Sequence, residues 1–330
     1  MRRRAPALAA LVLLAAGCGG SDAEPDTAAP AAEAAAGSSL TAAASVFPLA
    51  WLAEQIAPGA EVTFLGAGAA EAHDLDLTPS QRAGIETADV VLYMGDLGYQ
   101  SQVEQAVGSA SGEVVDVAEI AGPDRMLAAA EDDHGHEEEG EHAEEEGEHA
   151  KEEDGGLDPH VWFDAAVMAE VAERTGAAFA AADPDAADAF TANAERVADE
   201  LRALDGELDE TLAECRFDEA IVSHAAYGYL LSPRGIEQHA VVGAASGEAG
   251  ASGSELAEIV AEVREEGFTH VLAEPVEGRA DAEAVARETG IEMLDVFPLD
   301  VVEEREAEAG YPALLREQAA AFATALGCGP

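Results

Sequence analysis

The chain is 330 residues long and carries 68 acidic against 16 basic side chains, a formal net charge of -52, with Lys151 as its only lysine. A surface this acidic repels nucleic acid and anionic membrane, which argues against both as binding partners, and it attracts cations. The length suffices for two α/β lobes, and β-branched runs alternating with Ala/Leu/Glu-rich runs favour that arrangement.

From the start of the chain, Arg2, Arg3 and Arg4 precede an apolar run over residues 5–16 and then Gly17-Cys18. This is the layout of an export signal, residues 1–17, too short to span a membrane stably. Leu14-Ala15-Ala16-Gly17-Cys18 resembles the lipobox of bacterial lipoproteins. That resemblance implies cleavage before Cys18, lipid on its sulfur, and a place on the extracytoplasmic face of a bacterial cell membrane. Residues 18–39 lack periodicity and read as a flexible spacer.

Strands are expected at 41–47, 61–65, 89–94 and 113–117, with helices at 48–56, 78–88, 99–107 and 164–181. Thr78-Pro79 reads as a helix start. Four strands alternating with helices make a parallel sheet whose strand-end loops are free to bind. The loop at 66–74 is glycine-rich but lacks the spacing of a nucleotide-binding turn. Between the fourth strand and its next helix lies the segment 131–156, dense in glutamate, in which His134, His136, His142 and His149 stand. It reads as a solvated loop whose imidazoles and carboxylates collect metal weakly.

From Pro184 to Glu214 apolar residues recur at steps of three and four, one long amphipathic helix that reads as a stiff connector. Beyond it, strands are expected at 220–223, 240–243, 269–273 and 291–296. Helices begin near Ala225, at Ser252 with a capping-box Glu255, and near Ala280, and a closing helix covers 310–326. The predicted organisation is an N-terminal lobe at 40–182, a linker helix at 183–214 and a C-terminal lobe at 215–330. In an exported chain Cys215 and Cys328 are expected to pair, contributing about 4 kcal/mol through loop closure.

Three histidines sit on loops that follow strands or precede helices: His73, His160 and His224. Neutral imidazoles are good ligands for zinc and similar ions, and three of them leave a fourth position for water or a carboxylate. Asp74 and Asp158 stand close enough in sequence to orient the rings. His239 and His270, within apolar strands, read as structural.

Four ordered motifs carry a resemblance: Glu71-Ala72-His73-Asp74-Leu75-Asp76-Leu77-Thr78-Pro79-Ser80, Leu157-Asp158-Pro159-His160-Val161-Trp162, Val222-Ser223-His224-Ala225-Ala226-Tyr227-Gly228-Tyr229-Leu230 and Ala273-Glu274-Pro275. In this order and spacing the chain resembles, over residues 41–328, the zinc-type (ZnuA-like) solute-binding proteins of ATP-binding-cassette importers, in the TroA-like periplasmic-binding-protein superfamily. The resemblance implies two lobes, each with a central parallel sheet, joined by one rigid helix, with metal in the cleft. It matches His73, His160 and His224 to the family's histidine ligands and gives Glu274 a supporting role beside them. The family's usual Asp-Pro-His at the first ligand is Glu71-Ala72-His73 here. A family Asp that supplies a fourth ligand falls near Phe297, which makes Asp295 the candidate substitute.

The expected function is a monomeric, lipid-anchored zinc receptor, not an enzyme, delivering Zn2+ to an ABC permease driven by its cytoplasmic ATPase, since the chain has no Walker A sequence. Three imidazoles favour zinc over manganese, and a manganese- or iron-type receptor of the same fold is the alternative. The rivals are a surface zinc buffer or adhesin, and a zinc hydrolase, which the lack of His-Glu-x-x-His disfavours.

Overall fold

The computed structural model describes residues 39–68, 72–73, 75–129, 156–242 and 251–329. The export signal, Cys18, the spacer, Asp74 and the loop histidines His134, His136, His142 and His149 lie outside the described residues.

Two four-stranded parallel sheets form the frame. The first holds β1 (Thr41–Ala44), β2 (Glu61–Phe64), β3 (Val90–Tyr93) and β4 (Glu113–Asp116) in the order β2-β1-β3-β4. The second holds β5 (Glu219–His224), β6 (Glu237–Val242), β7 (His270–Ala273) and β8 (Glu292–Asp295) in the order β6-β5-β7-β8. The two orders are the same, although the sequences show no convincing repeat. In each, the first strand sits inside the sheet and the chain departs from it to both sides. The crevice between the first and third strands, at their carboxyl ends, is where such sheets bind ligands.

In the first lobe α1 (Phe47–Ile56) opens with a proline in its first turn and buries Leu49, Leu52 and Ile56. The helix α2 (Pro79–Thr87) starts in a full capping box, with Thr78 and Gln81 satisfying one another's backbone N–H groups. It is followed by α3 (Ser101–Val107) and α4 (Val117–Ala121). The two ends of the acidic loop are held side by side, because Ala129 N–H donates to Gly156 O at 2.8 Å and Asp158 N–H to Leu127 O at 2.9 Å. The helix α5 (Ala165–Ala182) is capped by the Asp164 carboxylate, which accepts from Val167 N–H at 2.9 Å.

The predicted connector proves to be a 3-10 turn at Pro184–Ala186 followed by α6 (Ala187–Thr211). At ~1.5 Å per residue its 25 residues run roughly 38 Å. It is not a free-standing strut. Its apolar stripe, Phe190, Ala194, Val197, Leu201, Leu204 and Leu208, lies buried, and it runs against α5. The helices come so close at Gly176 that a Cβ there would lie 2.4 Å from the Ala194 Cβ.

In the second lobe the helix expected near Ala225 is only one turn, α7 (Gly228–Leu231), ended by Pro233 in the following 3-10 turn. Then come α8 (Gly253–Glu262), with the Ser252/Glu255 capping box, α9 (Arg279–Thr289), the single turn α10 (Glu304–Ala307) and α11 (Tyr311–Leu326). Cys215 and Cys328 are bonded, linking residues 113 apart. One apolar core runs from the first sheet through α5 and α6 to α11 and the second sheet, joining Leu52, Trp162, Phe190, Tyr227, Tyr311 and Phe322.

Candidate metal centre

Each of the three predicted histidines is delivered by a different element. His224 is the last residue of β5, at the switch point of the second sheet. His160 precedes a 3-10 turn, Val161–Phe163, whose three side chains are fully buried and fix the stretch in the core. His73 follows β2 and is held in the first lobe by Tyr99, whose ring meets it edge-on at 4.7 Å.

The rings form a nearly regular triangle. Centroids are 5.7 Å apart for His73 and His160, 5.6 Å for His73 and His224, and 5.1 Å for His160 and His224. One ring nitrogen from each lies within 4.8 Å of the others, so the three can hold one ion. The sequence separations of the three residues make this convergence a property of the fold alone.

Asp158 orients His160. Its Oδ1 accepts from the His160 backbone N–H at 2.9 Å and stands 2.7 Å from ring Nδ1. A carboxylate at this place accepts from Nδ1–H, so in the neutral ring it is Nε2 that offers a lone pair. That Nε2 is buried and has no protein partner, the state expected of a ligand atom. Trp162 packs on the same ring at 5.1 Å, and its indole N–H donates to Pro298 O at 2.6 Å, joining the two lobes beside the site.

His224 has a different environment. Its Nδ1 faces Glu274 Oε1 at 3.4 Å and Glu277 Oε2 at 3.2 Å, close enough for ion pairs but too poorly aligned for hydrogen bonds. Burial alone would lower its pKa, yet Glu274, Glu277 and Asp300 outweigh burial and raise it to about 9. Glu274 is itself placed by Tyr227, whose hydroxyl donates to Oε1 at 2.8 Å, and by its backbone N–H, which donates to Ser223 Oγ at 2.9 Å. His73 goes the other way: burial, then the two neighbouring imidazoles, push it down to about 3. His224 is therefore an imidazolium near neutral pH while His73 is a neutral ring.

The expected fourth position needs correction. Asp295 stands at the end of β8 with 61 % of its side chain exposed, its Oδ1 pairs with Arg279 at 2.8 Å, and it is neither in the donor group of the imidazoles nor in the lining of their pocket. The carboxylate that this stretch brings to the site is Asp300, which is buried. It turns inward because Leu299, fully buried, adopts a left-handed backbone with φ of 64°. Asp300 Oδ2 accepts from Ala72 N–H at 3.1 Å and Tyr99 hydroxyl at 3.2 Å, tying the second lobe to the residue before His73. Sequence reasoning missed Tyr99, Glu277 and Asp300. Only Glu277 had a local signal, three residues beyond Glu274 in an acidic turn. Glu274, Glu277, Asp300, Glu303 and Glu306 line the pocket that opens from His73 and His224 to solvent.

Two parallel sheets of like order with imidazoles gathered at the seam between them define a bilobed, receptor-type metal-binding protein. The family described as "ZnuA: Zinc-uptake complex component A periplasmic" matches residues 43–325, and the chain belongs to that family. It is a family of solute receptors rather than enzymes. The chain is 25 % identical over 250 residues to "Zinc-binding protein AdcA" of Streptococcus pyogenes serotype M3, covering 76 % of this chain and 48 % of that protein. It thus spans about half the length of that relative. It is 27 % identical over 315 residues to "High-affinity zinc uptake system protein ZnuA" of Bacillus subtilis, covering 94 % of this chain and 93 % of the relative. The crystal structure of the Zn(II)-bound ZnuA-like domain of Streptococcus pneumoniae AdcA shares the fold with a TM-score of 0.67, 22 % identity and coverage of 88 % and 99 % of the two chains.

Proposed function

We propose that this chain is an extracytoplasmic receptor that captures zinc at the seam of its lobes and delivers it to the permease of an ATP-driven importer. The observation that carries the reading is the convergence of His73, His160 and His224, with the His160 Nε2 lone pair buried and unpartnered. Three imidazole nitrogens suit zinc, a borderline cation, better than manganese, which prefers more carboxylate and water oxygen. Glu274, Glu277 or Asp300 supplies the neighbouring negative charge, and water or one of these carboxylates completes the coordination.

Capture begins at the carboxylate-lined mouth, which concentrates divalent cations before they reach the rings. Within, Asp158 holds His160 in the ligating tautomer, and His73 is already neutral. The His224 imidazolium balances Glu274 and Glu277 until the metal arrives, then gives up one proton to solvent and leaves its charge-balancing place to the ion. The relatives named for zinc binding and zinc uptake support the cargo. The lipobox at Cys18 and the His-rich loop at 131–156 support a membrane-tethered body with a weaker zinc-collecting arm. We assign residues 40–182 and 215–330 to the two lobes and 183–214 to the helix between them.

Calorimetric titration of zinc into the full chain and its His160→Ala variant tests the reading. Loss of the tightest equivalent is expected, with manganese unable to displace zinc from the unaltered protein. Tight binding that survives the substitution would remove the cleft from consideration.

A further inference from the structure

A second group of metal-type donors lies at the other end of the second sheet. Glu219 opens β5, whose last residue is His224, so five strand steps of ~3.3 Å separate the two places by roughly 16 Å. In the neighbouring strand β6, His239 pairs in register with Ile221. The α8 helix covers this face, with Ile259 packed among Ile221 and Val241, and its final residue, Glu262, reaches the strand pair. His239 Nδ1 stands 2.8 Å from Glu262 Oε2 and 3.5 Å from Glu219 Oε1, and a donor atom from each residue lies within 4.8 Å of the others. Two ligands on a tetrahedral ion at ~2.1 Å would stand about 3.4 Å apart, so small rotamer adjustments suffice.

The residue His239, expected from the sequence to be a structural strand histidine, is therefore set between two carboxylates at an accessible edge. Side-chain exposure is 41 % for His239, 31 % for Glu219 and 25 % for Glu262, enough for an ion and its waters to enter. The charges acting on Glu219 include Glu262, Glu237 and Asp218, all carboxylates, against His239.

We propose that Glu219, His239 and Glu262 form a second divalent-metal site, of the zinc class, on the outer end of the C-terminal sheet and independent of the cleft. One imidazole nitrogen with two carboxylate oxygens, completed by water, is a donor set that zinc accepts, that the more oxygen-seeking manganese shares, and that is ill matched to the all-oxygen preference of calcium and magnesium. With only one nitrogen and open to solvent, the site binds more weakly and exchanges faster than the three-imidazole cluster. A metal there clamps β5, β6 and the end of α8 together.

The test uses crystals of the full chain soaked in zinc chloride, with anomalous scattering at the zinc edge, beside equilibrium dialysis in solution. The proposal expects an anomalous peak ~2.0 to 2.2 Å from His239 Nδ1 and from both carboxylates. The peak vanishes in His239→Ala, which also loses one weak equivalent in dialysis while the cleft equivalent is kept. Glu262→Gln, nearly isosteric and folded by circular dichroism, weakens the same equivalent by about tenfold or more. No peak at Glu219 with zinc in excess, a peak that persists in His239→Ala, or a crystal peak without a lost equivalent in dialysis each overturn the proposal. The first outcome would leave His239 as a strand-edge contact between two glutamates. The cleft peak is read separately, so failure here and failure of the cargo assignment are distinguishable.

Discussion

Zinc capture by this protein should depend on pH well above the range in which ordinary histidines titrate. His224 is held protonated by Glu274, Glu277 and Asp300 against its own burial, with a pKa of about 9. A metal that binds its ring must displace that proton. Affinity therefore rises about tenfold per pH unit up to roughly pH 9 and then levels, whereas rings titrating at ~6.5 would give a plateau above neutrality. At pH 7 the two-unit gap amounts to about 100-fold in affinity, or about 3 kcal/mol. His73, pushed down to about 3, adds no proton competition in this range. Chelator competition across about pH 6 to about pH 9.5, with calorimetry in two buffers of different ionisation enthalpy, measures both slope and proton count. About one proton should be released per zinc near neutrality. The Glu274→Gln variant keeps an acceptor for the Tyr227 hydroxyl but removes the leading support for the His224 charge, so its plateau should move toward ~6.5. The metal-free protein follows the opposite sign. Its His224 pKa is raised above the unfolded value, so this stabilisation is complete below ~6.5 and is lost as pH rises through about 9. Affinity that is flat from about pH 7 to about pH 8.5, with no proton released, would refute the reasoning.

Asp158→Asn should lower zinc affinity by about 10- to 100-fold without unfolding the protein, since the amide still accepts a hydrogen bond but loses the charge that fixes the His160 tautomer. Unchanged affinity in a competition titration would deny Asp158 that role. Replacing Cys215 and Cys328 together by serine should cost about 5 kcal/mol in denaturant unfolding, because a closure of 113 residues is lost from the unfolded chain. An unmoved midpoint would show the bridge to be idle.

Much of the frame was legible because its signals are local. The eight strands, the Thr78 and Ser252 helix starts, the α6 stripe and the closing helix all follow from periodicity and capping chemistry. The three histidines were legible from their motifs. What escaped depends on direction rather than identity. Asp295 and Asp300 are both plausible acids in one short stretch, and only the left-handed turn at Leu299 sends one inward while Arg279 holds the other outside. The pairing of His239 with Glu262 needed the packing of α8 on the strands, which no spacing in the sequence encodes. The long helix was read correctly as amphipathic, but its stripe could not reveal that Gly176 lets it lie tightly along α5.

The uninterrupted apolar core between the sheets limits how this molecule can move. Swinging one half away from the other would expose Trp51, Trp162 and Tyr311 to water, part the Trp51 and Tyr311 rings, and break the hydrogen bond from the Tyr311 hydroxyl to Trp162 O. At about 1.5 to 3 kcal/mol for each large apolar side chain uncovered, three of them hold the swung-apart form below about one molecule in a thousand. Loading and unloading are left to the turns around Ala72, Pro275 and Asp300, so X-ray scattering profiles with and without cargo should nearly superimpose while amide exchange at those turns slows on loading.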